Sequence, residues 1–452
     1  MIFKRKIYQK LVDWKSLSQG KTAVMIEGAR RIGKSTIAEE FARNEYKDYL
    51  ILDFAIETEE VKRLFTESLG DMASFFRNLF VFKGKSLPER ESLIILDEIQ
   101  LFPEARQAIK YLVKDGRYDY LETGSLIRIK KTSKQILIPS EEDRISMYPM
   151  DFEEFLWAQG DDFTYSVIRD AFENRKPLGP ALHRTIMNRF REYMAVGGMP
   201  QAVQEFVSGG NYDRIDYVKR TILSLYEEDL KKYDDDNREK ASVIFKAIPE
   251  QLSNHNSHYR LTTVAPNARY REYVDSVGFV AESMIGNECI GITKPDTDLE
   301  AFADRSDFKL YMGDTGLLLT AIARYGDGDI SMNDIYRAVI SDHTGWDLGP
   351  VMENVVGQML RSSGHRLYFH RFSYQPKEDG QERAYELDFL TVRKKKICPI
   401  EVKSSGYKRH ASFDYFREKY QLKMEDRYII YTKDLYTEDS LAYIPVYMTA
   451  LI

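Results

Sequence analysis

Residues 24 to 36 read Val-Met-Ile-Glu-Gly-Ala-Arg-Arg-Ile-Gly-Lys-Ser-Thr, and Gly28 to Ser35 within them fits G-x-x-x-x-G-K-[ST]. The apolar run Ala23-Val24-Met25-Ile26 ahead of the loop predicts a buried strand. Behind it, Ile37, Ala38, Phe41 and Ala42 recur at helical spacing. A strand, a glycine-bounded loop and a helix N-terminus leave several backbone N–H groups aimed at one point, where the helix dipole adds positive potential. A polyphosphate is the natural occupant of such a cradle, here Gly28, Ala29, Arg30, Arg31, Ile32, Gly33, Lys34, Ser35 and Thr36. Lys34 then reaches the β- and γ-phosphates, and the Ser35 hydroxyl sits on Mg²⁺.

Outward from the loop, Tyr49 to Phe54 predicts a second strand, and Leu93-Ile94-Ile95-Leu96-Asp97-Glu98 a third that ends in two carboxylates. Following a nucleotide-binding loop, Asp97 is placed to hold Mg²⁺ through water or Ser35, and Glu98 to polarise the water that attacks the γ-phosphate. Tyr118 to Glu122 predicts another strand, ending in Thr123-Gly124-Ser125. A small hydroxyl there is either a γ-phosphate sensor or part of a plain turn. Strands alternating with helices predict a parallel, doubly wound α/β sheet with its ligand at the strands' C-terminal ends.

A chain of 452 residues suggests about three domains. They are placed at 1–150 (nucleotide-binding), 151–345 (helical and winged-helix-like) and 346–452 (α/β). With a net charge of −6, any nucleic-acid surface must be a local patch and not a global field. Cys289 and Cys398 lie far apart without metal-type spacing, which argues for a reducing compartment and against a disulfide or zinc framework. Met1 to Lys10 is basic, but no apolar stretch of signal-peptide type follows it. No apolar run approaches the roughly 18 residues of a membrane span. The expectation is a cytoplasmic protein without a membrane partner.

Most of 165 to 255 reads as helix, broken at Arg191 to Pro200. The acidic run Glu227, Glu228, Asp229 and Asp234 to Asp236 reads as a solvated face in preference to a metal site. Phe245 to Leu252, Ala265 to Val277 and the strand-like Glu288 to Thr293 and Lys309 to Met312 suggest helix–turn–helix followed by a wing. Such folds bind DNA, with Arg260, Arg269 and Arg271 available to phosphates, or serve as protein-interaction modules. Thr293-Lys294-Pro295-Asp296 fits a degenerate guanine-reading T-K-x-D. It lies outside the first domain, and no D-x-x-G switch accompanies the loop, so ATP is the expected nucleotide.

Toward the C-terminus, Pro350 to Leu360 predicts a helix bearing Glu353. Strands follow at Leu367 to His370, Glu386 to Val392 and Cys398 to Lys403, with Lys394-Lys395-Lys396 as a tight turn. Alternation places Glu386, Asp388 and Leu390 on one face, and Glu401 and Lys403 together on one face of the next strand. Two carboxylates on strands joined by a short turn can share a divalent metal, and Lys403 can then position water or stabilise a pentavalent phosphate. Cross-strand pairs of this kind also simply solvate a sheet. Between Thr391 and His410 stand Arg393, Lys394, Lys395, Lys396, Lys403, Lys408 and Arg409 against the single acid Glu401, the local patch a phosphate-backbone reader needs.

GARRIGKST, LIILDEIQ, LETGSL and EEDRISMYPMDFEEFL, in this order, resemble the AAA+-type ATPases of a large prokaryotic family, whose ATPase half precedes a poorly characterised C-terminal half. The resemblance implies ATP with Mg²⁺, Asp97 and Glu98 in the Walker B roles, and Ser125 or Thr123 as sensor. It implies that Arg144 is a sensor or an arginine finger, the latter acting across a homo-oligomer. Here Asp143 stands where the family usually has glycine. Gly197-Gly198-Met199-Pro200 and Gly313-Asp314-Thr315-Gly316-Leu317 resemble two further landmarks of that family. The helical Glu353 followed by D-x₁₂-E-x-K resembles the restriction-endonuclease-like superfamily. On that match Asp388 and Glu401 are metal ligands, Lys403 is catalytic and Glu353 an auxiliary acid. The combined expectation is an ATPase whose nucleotide state controls a nuclease-like, DNA-directed module. The alternative is an ATP-dependent switch or scaffold for a protein partner.

Overall fold

The apolar runs read as strands do form strands, and their order explains why they are so apolar. The structure is a computed structural model that describes residues 2–124, 140–233, 239–254, 258–325, 332–341, 347–376, 380–404, 411–421, 424, 426–438 and 441–452. The chain folds as two units, Met1–Pro149 and Met150–Ile452. In the first, α1 (Ile7–Ser18), β1 (Ala23–Glu27), α2 (Lys34–Glu45), β2 (Asp48–Asp53), α3 (Glu59–Glu67) and α4 (Met72–Lys83) come first. Then follow β3 (Ser92–Asp97), α5 (Pro103–Asp115), β4 (Asp119–Gly124) and β5 (Glu142–Ser146). The strands form one parallel sheet in the order β2-β3-β4-β1-β5. β3 is buried along its whole length, as an inner parallel strand covered on both faces must be. Phe54, Phe65, Phe75, Phe76, Leu79 and Tyr118 pack on one side. β5 escapes an apolar-run search because it reads Glu-Asp-Arg-Ile-Ser, a composition tolerated at a sheet edge.

The second unit opens with α6 (Phe152–Ala158), α7 (Thr164–Glu173), α8 (Pro180–Val196), α9 (Pro200–Val207), α10 (Tyr212–Tyr233) and α11 (Lys240–Ser253). The short α12 (Leu261–Val264) and α13 (Tyr270–Glu282) lead into β6 (Gly286–Ile292) and β7 (Ala303–Met312). After α14 (Thr315–Tyr325), α15 (Met332–Ile340) and α16 (Gly349–Ser362) come β8 (Leu367–Tyr374), β9 (Arg383–Arg393) and β10 (Lys396–Val402). The unit ends with α17 (Ala411–Tyr420), β11 (Arg427–Tyr431), β12 (Tyr436–Glu438) and β13 (Leu441–Pro445). Its eight strands run in the order β12-β13-β11-β10-β9-β8-β6-β7.

Two expectations change here. The hairpin expected as a wing is no free wing: β6 pairs parallel with β8, Cys289 opposite Leu367. Cys289, Ile290 and Ile292 are buried apolar residues and need neighbours on both sides. Residues on either side of 345 therefore share one sheet. Arg260, Arg269 and Arg271 on the preceding segments are exposed, and Thr293 to Asp296 lie just after β6.

The second change is in β9. Opposite β8, Leu390 pairs with Tyr368 but Leu387 pairs with His370, so Asp388 and Phe389 together face the single residue Phe369. This bulge shifts the phase of the alternation. Leu390 consequently joins Leu387 in the apolar cluster with Phe413 and Phe416, away from the face expected for it.

The two glycine landmarks of the family pack on each other. Asp314 is buried and accepts the Gly198 N–H at 2.6 Å and the Leu317 N–H at 2.9 Å, capping α14. Lys219, fully enclosed in α10, donates to the Ala195 and Gly316 carbonyls at 2.8 and 3.0 Å, and burial pushes its ammonium down to about 8. A Cβ on Gly316 would stand 2.4 Å from the Val196 carbonyl and 2.6 Å from the Gly197 backbone. Gly316→Ala is therefore expected to destabilise the protein by about 1–3 kcal/mol, read as a lower urea midpoint. An unchanged midpoint would show that the two backbones are free to separate.

Candidate functional site

The loop after β1 closes because two glycines allow it. A Cβ on Gly28 would lie 2.3 Å from the Met147 carbonyl and 2.5 Å from the Ile32 side chain. Gly33, with φ of +94°, turns the chain into α2. Arg31 is also left-handed, at φ +69°, and exposed. Lys34 is buried, and its Nζ donates to the Gly28 and Ala29 carbonyls at 3.0 and 2.9 Å. Burial pushes this ammonium down to about 8, against the pull of Glu98 and Asp97. A phosphate oxygen would replace the two carbonyls with stronger, charge-assisted acceptors.

Asp97, at the tip of β3, accepts the Ser35 hydroxyl at 2.8 Å and also the Thr123 hydroxyl, both on Oδ1. Thr123 is fully buried at the end of β4 and takes the Glu98 N–H at 3.4 Å. Thr123 is thus drawn to the Asp97 carboxylate, while Ser125 lies outside the described residues. Glu98 departs from the strand at φ +53°, a conformation costly for a side-chain-bearing residue. Its carboxylate is held by the Gln100 side-chain amide. Gln100 stands inside the motif quoted above, yet spacing alone gives no sign that it orients Glu98.

Three arginines belong to this unit's framework. Arg5, in the basic N-terminal stretch, donates to the Ile32 carbonyl at 2.9 Å and to the Tyr148 carbonyl at 2.7 Å, bracing the loop against the segment after β5. Arg144 lies in β5 opposite Met25 of β1 and pairs with Glu142 at 2.8 Å. Glu142 is also gripped in bidentate fashion by Arg106, at 2.9 and 2.8 Å. Arg144 is a partner of its own chain's carboxylate here.

In the second unit, the D…E-x-K residues do come together. β9 and β10 run antiparallel with Phe389 opposite Ile400. One step further, the Val402 N–H donates to Asp388 Oδ2 at 2.7 Å, beside Glu401, and Lys403 pairs with Glu401. Glu353 of α16 joins them through a residue that spacing did not single out. Lys309 of β7, largely buried, donates to Glu353 at 2.9 Å and to Glu386 at 2.6 Å, and Tyr311 donates to the same Glu353 oxygen. Burial, with Glu353 and Glu401 nearby, holds Asp388 well above the usual carboxylate range. Among the described residues no group of three or more His, Cys, Asp or Glu is disposed to hold a metal ion. Lys309 meets the charge of Glu353 and Glu386, and Lys403 that of Glu401.

Comparison with known proteins bears on both units. Residues 20–156 match the model of an AAA domain, so the N-terminal unit carries an AAA-type P-loop ATPase domain. Residues 187–327 and 348–448 match two domains of unknown function, DUF8612 and DUF4143. An uncharacterized Haemophilus influenzae protein is 26% identical over 225 residues, 48% of this chain and 49% of that protein; the chain thus spans about half the length of this curated relative. Among solved structures, the Thermotoga maritima RuvB Holliday junction branch migration motor is 12% identical with a TM-score of 0.28, covering 62% of this chain and 84% of its own. A Vibrio cholerae protein is 12% identical with a TM-score of 0.18, covering 89% of this chain and 94% of its own. Scores so low support no argument. No helix among the described residues is long and apolar enough to cross a membrane.

Proposed function

We propose that the protein hydrolyses ATP with Mg²⁺ at the β1–α2 loop, and that its nucleotide state controls a DNA-directed, nuclease-like C-terminal domain. The observation that carries the first part is the convergence of the Ser35 and Thr123 hydroxyls on one oxygen of Asp97 beside the buried Lys34. These groups suit Mg²⁺-ATP: the Ser35 hydroxyl already stands beside the Asp97 carboxylate, and the Lys34 ammonium sits on the phosphate cradle. Bound there, Mg²⁺ would neutralise charge on the β- and γ-phosphates, with Ser35 and Asp97 as the residues that hold it. Lys34 attracts the same phosphates. Glu98, steadied by Gln100, accepts the proton of the attacking water. Phosphate release from ATP and Mg²⁺ by the purified protein, lost on removing Mg²⁺ with EDTA, tests this; turnover that persists in EDTA would sink it.

The second part is supported by Asp388, Glu401 and Lys403 meeting on neighbouring strands, with Glu353 close by. Asp388 and Glu401 are the carboxylates that would hold a divalent metal, Lys403 pairs with Glu401, and Lys309 engages Glu353 and Glu386. Incubation with plasmid or single-stranded DNA in Mg²⁺ or Mn²⁺ is expected to give cleavage that Asp388→Ala and Lys403→Ala each reduce at least a hundredfold. Cleavage surviving either change would remove the site from this role. A stoichiometric protein partner together with no DNA affinity would favour a switch or scaffold instead.

A further inference from the structure

Around the end of the β9–β10 hairpin, three of four cations stand where the backbone makes their placement costly. Arg393 pairs with Lys396 across the hairpin, leaving a two-residue turn of Lys394 and Lys395. Both are exposed, and both are left-handed, at φ +48° and +60°. A turn with two positive φ values favours Asn-Gly, and a pair of lysines is a poor choice on conformational grounds alone. Arg175, just beyond α7, is a third left-handed cation, at φ +53°. Its guanidinium lies over the rings of Phe172 and Tyr428, 4.9 and 5.2 Å from their centroids.

Arg175 and Arg393 converge on the same two groups. Both donate to the Tyr428 hydroxyl, at 2.8 and 2.6 Å, and both reach the Asp426 carboxylate, at 3.5 and 3.4 Å. Two guanidinium groups therefore share one carboxylate, and the buried Arg175 Nη1 has no hydrogen-bond partner among the described residues. Side chains kept in unfavourable backbone regions point to a role other than stability. Planar guanidinium forks beside exposed lysines suit phosphate oxygens.

We infer that the Lys394–Lys395 turn, with Arg175 and Arg393, is a clamp for the phosphodiester backbone of nucleic acid. The inference rests on the DNA-directed reading of the C-terminal domain and supplies the surface by which it holds its partner. The clamp reads charge and spacing, not base sequence, so it predicts binding that weakens steeply with salt.

The test is fluorescence anisotropy of a labelled DNA duplex with the full chain, titrated over a series of salt concentrations. The double variant Lys394→Asn, Lys395→Gly suits the turn better than the natural residues, so its melting temperature should equal or exceed that of the wild type. Its ATP turnover should be unchanged. Its plot of log affinity against log salt should be shallower by about 1.8, for two lost phosphate contacts at about 0.9 each, with roughly tenfold weaker binding near physiological salt. DNA binding with an unaltered slope would overturn the clamp while leaving the DNA-directed reading intact. Absence of DNA binding by the wild type would overturn both. Polyglutamate displacing the duplex as well as unlabelled DNA does would overturn the phosphodiester assignment.

Discussion

Glu98→Gln is expected to slow ATP hydrolysis by about 10²–10⁴-fold while leaving nucleotide affinity nearly unchanged. The amide keeps the shape of Glu98 and can still meet Gln100, but it cannot take a proton from water. Lys34→Ala should act differently. It removes the ammonium that now rests on the Gly28 and Ala29 carbonyls, so affinity and turnover should fall together. The two variants separate binding from chemistry, and fluorescent-nucleotide titration beside a phosphate-release assay reads both. Hydrolysis at the wild-type rate in Glu98→Gln would show that another group handles the proton. Undiminished affinity in Lys34→Ala would show that the loop is not the phosphate site.

The second large effect is one of stability. Lys309→Met keeps the length of the side chain but leaves Glu353 and Glu386 facing each other without their shared ammonium. Breaking a buried ion pair from one side costs roughly 3–5 kcal/mol, and that loss is expected in urea denaturation at neutral pH. The deficit should shrink in acid, and the sign follows from Glu386. Burial already raises its pKa above the ordinary 4.5, with Lys309 opposing the rise. Without Lys309 the pKa rises further. A carboxylate whose folded pKa is raised costs stability above its unfolded pKa and ceases to do so as pH falls through that value. The gap between variant and wild type should therefore close as pH falls from neutral toward 4.5. Adding Glu386→Gln to Lys309→Met should recover much of the loss at neutral pH. A deficit that is independent of pH would mean that packing and not charge is responsible.

The proposed nucleotide site was legible because its parts are local. Gly28, Gly33, Lys34 and Ser35 act through one turn of chain, and Asp97 and Glu98 end an apolar run that can only be an inner strand. Their mutual distances needed the sheet order, but their identities did not. Arg5 and Gln100 were missed for the opposite reason. Each acts on a backbone or side chain that pattern matching does not inspect, and neither residue type is rare enough to draw notice.

The C-terminal cluster divides in the same way. Asp388, Glu401 and Lys403 are neighbours across one hairpin, and short-range alternation was enough to bring them together. Leu390 was misplaced because a bulge at Asp388 and Phe389 is an event of pairing with β8, which one strand read alone cannot reveal. Lys309 and Tyr311 come from a strand that joins the sheet at its far edge, and only the parallel pairing of β6 with β8 carries them to Glu353.

By itself, then, the sequence determined the glycine-bounded loop between β1 and α2, the strand ending in Asp97 and Glu98, and the hairpin that bears the acid and lysine residues, because each depends on interactions spanning a few residues. The tertiary structure alone decided which hydroxyl meets Asp97, that a lysine from β7 answers the charge of Glu353 and Glu386, and that Arg175 joins Arg393 on Tyr428 and Asp426. These are contacts between side chains far apart in the chain. They are set by strand order and helix packing, which composition and periodicity do not encode.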